Sequence, residues 1–147
     1  MTSYYGLGLA LLAAASWGAV YVVYEQVLKG ISPLNSMFLS SISSLAILST
    51  LFFIRGEVPL SGIRAHLGLS IALVVAVVVG TVAQWAILSS IKELGAATAS
   101  VIEICYPLFT ILFLAIFFGQ NFSIRFLLGS LLVFLGILLV MTAPKAQ

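Results

Sequence analysis

Five apolar stretches alternate along the chain with short polar breaks. They run over Tyr5–Leu28, Ser36–Ile54, Leu67–Ile91, Ala96–Phe118 and Phe122–Met141. Each is close to the ~20 residues that a helix needs to cross a bilayer core. The breaks, Lys29 to Asn35, Arg55 to His66, Lys92 to Gly95 and Gly119 to Asn121, carry the charges, glycines and prolines that punctuate helices. Strict period-2 alternation is absent, and open strands would leave backbone groups unpaired in lipid. The pattern therefore predicts an all-α membrane protein, a bundle of five transmembrane helices forming one domain over residues 1–147.

Polar residues inside the stretches indicate which faces turn away from lipid, where they are costly. In the fourth stretch Ser100, Glu103, Tyr106 and Thr110 are spaced to share one helical face, continued by Ala96 and Ala99. The first has Ala14, Gly18, Tyr21 and Glu25 in a stripe with Trp17 beside it. The second offers Ser36, Ser40, Ser43 and Ser44, and the third Gly80, Thr81 and Gln84 with Trp85 adjacent. The fifth has Ser130 and no such face. Four helices are thus expected to surround a polar cavity, with the fifth outside it. For any single serine or glycine, close helix packing is the competing explanation.

Glu103 is the principal candidate for function. It lies ten residues beyond Glu93, hence roughly 15 Å deep at 1.5 Å per residue. An ionised carboxylate there costs at least about 2.5–3.5 kcal/mol on insertion scales. A carboxyl so placed is expected to load and release a proton, the alternative being a neutral group bonded to a neighbouring helix. Pro107 has no N–H for the Glu103 carbonyl, which predicts a kink and a free acceptor beside the acid. Glu25, four residues from Lys29, reads equally as an acid on a substrate path or as an interfacial charge paired with that lysine. Glu57, Glu93 and His66 fall in breaks or at helix ends and are expected to be solvated.

Composition agrees with the pattern. Hydrophobic residues make up 63% of the 147 and charged residues 7%, against about a quarter charged in a soluble domain, so lipid is the solvent for most of the surface. Mean hydropathy is +1.28. The net charge of +2 includes no basic cluster, leaving no footprint for nucleic acid. The single cysteine, Cys105, sits in an apolar run and reads as a small hydrophobe. No Lys or Arg precedes Lys29 and the first apolar run is too long for a signal peptide, so a retained helix is expected. No metal-ligand spacing, nucleophile triad or phosphate loop appears, which points away from an enzyme and from any metal or cofactor.

An odd number of spans places the chain ends on opposite sides of the membrane. Arg55, Arg64 and Arg125 then share one side, and Lys29, Lys92 and Lys145 the other. Three against three gives no orienting bias. Either a weak signal is hidden by small numbers, or the protein inserts both ways round.

The sequence resembles a known family at these residues. The run from Trp17 to Leu34, WGAVYVVYEQVLKGISPL, is similar to the first helix and turn of the EamA-type repeat of the drug/metabolite transporter superfamily. The run from Leu94, LGAATASVIEICYPLFTILFLAIFFGQ, and that from Gly129, GSLLVFLGILLV, are similar to its fourth and fifth helices. Trp17-Gly18, Gly95-Ala96-Ala97, Pro107 and Gly129 with Gly136 carry the likeness. The resemblance implies secondary transport of small metabolites or toxic compounds. Members commonly hold two repeats, the second inverted; this chain holds one. It departs from the pattern at Glu25, where a basic residue is usual, near Ser40, where an arginine is usual, and at Glu103, where the family is usually apolar. Acid in place of base argues against an anionic substrate. The four-helix small multidrug resistance branch is less similar, since its key acid lies where this first helix has alanine.

The expectation is a secondary, proton-coupled exporter in the cell (inner) membrane. Its substrates would be small metabolites or drug-like compounds, including organic cations. It would work as a homodimer, antiparallel if the chain inserts both ways, which would restore the inverted-repeat plan of transporters. Trp17, Tyr21, Trp85 and Tyr106 with Glu103, and the polar Gln84 and Ser100, are the candidate substrate and proton site. Gly129 and Gly136, seven residues apart on one face, are the candidate dimer contact, with intrachain packing as the alternative. The rival function is a non-transporting membrane subunit, or a half-transporter that pairs with a different chain.

Overall fold

A computed structural model describes residues 4–56 and 67–142. Six helices are present among them: α1 (Tyr4–Val27), α2 (Pro33–Arg55), α3 (Leu67–Leu94), α4 (Ala96–Glu103), α5 (Tyr106–Phe118) and α6 (Ile124–Thr142). Taking α4 and α5 together, five segments are long and apolar enough to span a bilayer, and they are the five that the pattern predicts. The chain is a multi-pass membrane protein. Glu57, Arg64, His66 and Lys145 lie outside the described residues.

Local chemistry sets the helix ends. Ser32 caps α2, its hydroxyl accepting from the Asn35 N–H at 3.2 Å, and Pro33 follows at the first helical position, where a missing N–H costs nothing. Gly56 closes α2 and Gly119 closes α5 with φ of 65° and 60°, the left-handed region that glycine enters without a Cβ penalty.

The predicted kink in the fourth span is a local interruption of the α-helix at Ile104 and Cys105, both still right-handed helical. Ile104 and Cys105 turn between α4 and α5 with ψ of −7° and −18°, and the Cys105 N–H donates to the Ile102 carbonyl at 3.1 Å, a three-residue step. Pro107 sits in the first turn of α5, where its ring is tolerated, and the span continues past it to Phe118. Glu103 is consequently the last residue of α4, seven residues on from Ala96. Its depth is about 10 Å from that end at 1.5 Å per residue, shallower than counting from Glu93 suggests, because α3 itself runs on to Leu94.

Packing is concentrated at one end of the bundle. Tyr21, Leu28, Met37, Leu88, Ile91, Ala96 and Ala99 form the buried cluster, drawn from the end of α1, the start of α2, the end of α3 and the start of α4. Short connections bring these four regions together. Ala96 and Ala99 are small, which lets α4 settle against both α3 and α1. α4 also packs on α6, and α2 packs on α3. By contrast, α5 has no extended packing partner. Its Phe109, Phe113 and Phe117 form a ladder with centroids 6.5 and 6.1 Å apart, and all three rings are exposed.

Candidate functional site

Just beyond the buried cluster, α1, α3 and α4 diverge around a cavity of about 530 Å³. α1 contributes Ala14, Trp17, Gly18 and Tyr21, residues one helical turn apart on a single face. α3 contributes Gly80 and Gln84, α4 contributes Ser100 and Glu103, and Tyr106 stands at the head of α5. Six of the expected site residues therefore meet here: Trp17, Tyr21, Gln84, Ser100, Glu103 and Tyr106. Ala83, Ile87, Val101 and Ile104 complete the wall. They are apolar like their neighbours, so no sequence signal distinguishes them. α6 contributes no residue to this cavity.

Glu103 anchors the cavity. The Tyr21 hydroxyl donates a hydrogen bond to its Oε2 across 82 residues of chain. Tyr21 is buried, and its ring lies against Trp17 with centroids 5.8 Å apart and planes tilted by 47°. The Ser100 hydroxyl is turned back to the Ala97 carbonyl at 2.9 Å. Among the described residues no Lys, Arg or His lines the cavity, and Glu103 is the one carboxyl in its wall. Its wall is unfinished: Trp17 is 50% exposed and Tyr106 64% exposed.

Other expected participants lie elsewhere. Trp85 is not in the cavity wall and is half exposed on the outside of α3. The serines of α2 do not face the cavity either. Ser40 and Ser44 line a separate hollow of about 390 Å³ between α1, α2 and α3, which shares Trp17 and Gln84 with the main one. Because α2 packs on α3 and not on α4, three spans surround the cavity where four were expected.

Glu25 makes a contact that neither expectation includes. Its Oε2 accepts the Ala96 N–H at 2.8 Å, at the first residue of α4. Lys29 is not its partner, since the Lys29 ammonium donates to Gln26 Oε1 at 2.8 Å. The residue preceding α4, Gly95, has no side chain to cap the helix, so a carboxylate from α1 satisfies a free N–H and meets the positive end of the helix dipole. Gly95 holds φ 83° and ψ 159°, a conformation essentially confined to glycine, and a Cβ there would lie 3.9 Å from Glu25 Oε1. Gly95→Ala is expected to destabilise the protein by about 1–3 kcal/mol. Glu25→Ala should cost about 1 kcal/mol through the lost cap, while Glu25→Gln, which keeps an acceptor, should be close to wild type. Thermal denaturation in detergent measures all three. Equal stability of Gly95→Ala and wild type would show that this turn is not held as described.

Gly129 and Gly136 have room around them, and Gly129 lines a hollow with Ile104, Pro107 and Leu108. A Cβ added at either would meet no atom within 4 Å.

A model of the EamA-like transporter family matches residues 4–142, nearly the whole chain. No curated protein and no solved structure matches it.

Proposed function

The chain belongs to the EamA-like transporter family as a single five-helix repeat of the drug/metabolite transporter superfamily, and from that premise we propose a proton-coupled exporter of small organic cations. The observation that carries the reading is the cavity itself. One carboxyl, Glu103, stands among the rings of Trp17, Tyr21 and Tyr106 with no basic residue in the wall among the described residues. Aromatic faces attract a desolvated cation by about 2 kcal/mol or more, and a carboxylate adds direct charge attraction. A volume of about 530 Å³ suits a small organic solute. Taking up a proton when the cation leaves spares the protein an unpaired charge in the membrane, which couples the two flows. The test is uptake into proteoliposomes across a panel of organic cations, anions and neutral solutes, with and without an imposed pH gradient. Gradient-driven flux of cations alone is the expected result; flux of anions would overturn the substrate class.

The working unit in this reading is a homodimer in the cell (inner) membrane. The half-exposed rings of Trp17 and Tyr106 leave one side of the cavity for another chain to close, and Gly129 and Gly136 offer α6 as a contact. Small residues let backbones approach where lipid supplies no hydrophobic drive. Gly129→Leu with Gly136→Leu should shift the detergent-solubilised protein from dimer towards monomer. Cross-linking at wild-type levels in that variant would exclude α6 as the interface. The same unfinished wall suits a half-transporter that pairs with a different chain, which co-purification of a second chain of similar length would support.

A further inference from the structure

We propose that the Tyr21 hydroxyl is a positioning and selectivity group: it occupies the Glu103 carboxyl in the empty site and yields it to a bound cation. The inference rests on the reading of Glu103 as the cation-binding acid. Tyr21 and Glu103 come from different helices, and the bond between them spans the floor of the cavity. Among the described residues no other side chain donates to this carboxyl. Ser100, the nearest hydroxyl along α4, is committed to the Ala97 carbonyl.

Tyr21 is not free to follow the carboxyl. Its ring is 7% exposed, belongs to the buried cluster with Leu88 and Ala99, and rests against Trp17. Glu103 is only partly buried and ends α4 just before the Ile104–Cys105 turn, so in this proposal its side chain is the one that turns. A carboxylate that turns into the cavity to meet a ligand must therefore leave the tyrosine. Binding carries that exchange as a reduction in apparent affinity, in proportion to the fraction of carboxyl already released.

The exchange discriminates by charge. A neutral hydroxyl or amide on a ligand offers Glu103 nothing better than Tyr21 already supplies. A cation does, because it adds direct charge attraction to the carboxylate, which no neutral group supplies. The tyrosine thus raises the threshold against neutral solutes that fit the same apolar cavity, a specificity set by a competing contact.

The test uses the full-length protein in detergent and benzyltrimethylammonium, a permanent cation with one ring, as the probe. Tyr21→Phe keeps the ring and removes the competing donor, so the probe should bind about tenfold more tightly, the scale of one hydrogen bond to a charged group. Glu103→Gln should abolish binding. If Tyr21→Phe binds as wild type or more weakly while Glu103→Gln does not bind, the cation site stands and the positioning role is overturned. If Glu103→Gln binds as wild type, or the wild type does not bind, the reading of the site itself fails. A measurement that needs no tyrosine variant is the infrared difference spectrum of wild type on adding the probe. Loss of the bond should shift a tyrosine C–O stretch together with the carboxyl band. A carboxyl change with no tyrosine change would overturn the proposal even if Tyr21→Phe failed to fold.

Discussion

Glu103→Gln is expected to abolish transport driven by a pH gradient while leaving the protein folded and inserted. The amide has the shape of the carboxyl, and its oxygen can still accept from the Tyr21 hydroxyl, so the link between α1 and α4 is retained. What it cannot do is change charge. A coupling acid must exist in two forms, one that holds a proton and one that attracts the cation, and glutamine has neither. Gradient-driven flux should therefore fall to the background of empty liposomes, a far larger effect than any stability change. Glu25→Gln should remain close to wild type, because Glu25 serves the start of α4 outside the cavity. The measurement is substrate flux under an imposed pH gradient beside a melting curve for each variant. Wild-type flux in Glu103→Gln with a dead Glu25→Gln would move the coupling site to α1. Failure of Glu103→Gln to insert or dimerise would make the acid structural.

A reporter fused after Gln147 is expected to appear on both sides of the membrane. Five spans put the two chain ends on opposite faces. Arg55 closes α2 and Arg125 opens α6 on one face; Lys29 follows α1 and Lys92 lies in the last turn of α3 on the other. Arg64 and Lys145, outside the described residues, add one to each side by their order in the chain. Orientation follows the excess of Lys and Arg close to the helix ends, and here there is none. Two lysines added beside Lys29 should drive that face to the cytoplasm and collapse the mixed population to one. A single orientation in the unmodified protein would rule out an antiparallel homodimer while leaving transport itself untouched.

The spans were legible in the sequence because each one satisfies its backbone internally and meets the same solvent along its length. Twenty apolar residues in a row suffice for that, whatever stands next to them. The same locality made the face of Ser100, Glu103 and Tyr106 readable, since residues on one turn of one helix keep their relation in any fold. Pro107 likewise announced an interruption, although a single missing N–H does not tell a smooth bend from the tightened step at Ile104 and Cys105.

Tertiary structure alone decided which helix stands beside which. Glu25 reads in the sequence equally as an acid on a substrate path or as a charge paired with Lys29, yet its carboxyl accepts from the Ala96 N–H, because the start of a helix with glycine before it leaves an N–H in need of an acceptor. The serines of α2 had the spacing of a cavity wall, but α2 packs on α3 and so they face another hollow. Tyr21 and Glu103 are both conspicuous in the sequence, and nothing within either helix relates them. In lipid, helices associate through small residues and shape, not through a hydrophobic pattern that can be read along the chain. Their hydrogen bond depends on Ala96 and Ala99 allowing α4 to lie close against α1, a property of the assembled bundle.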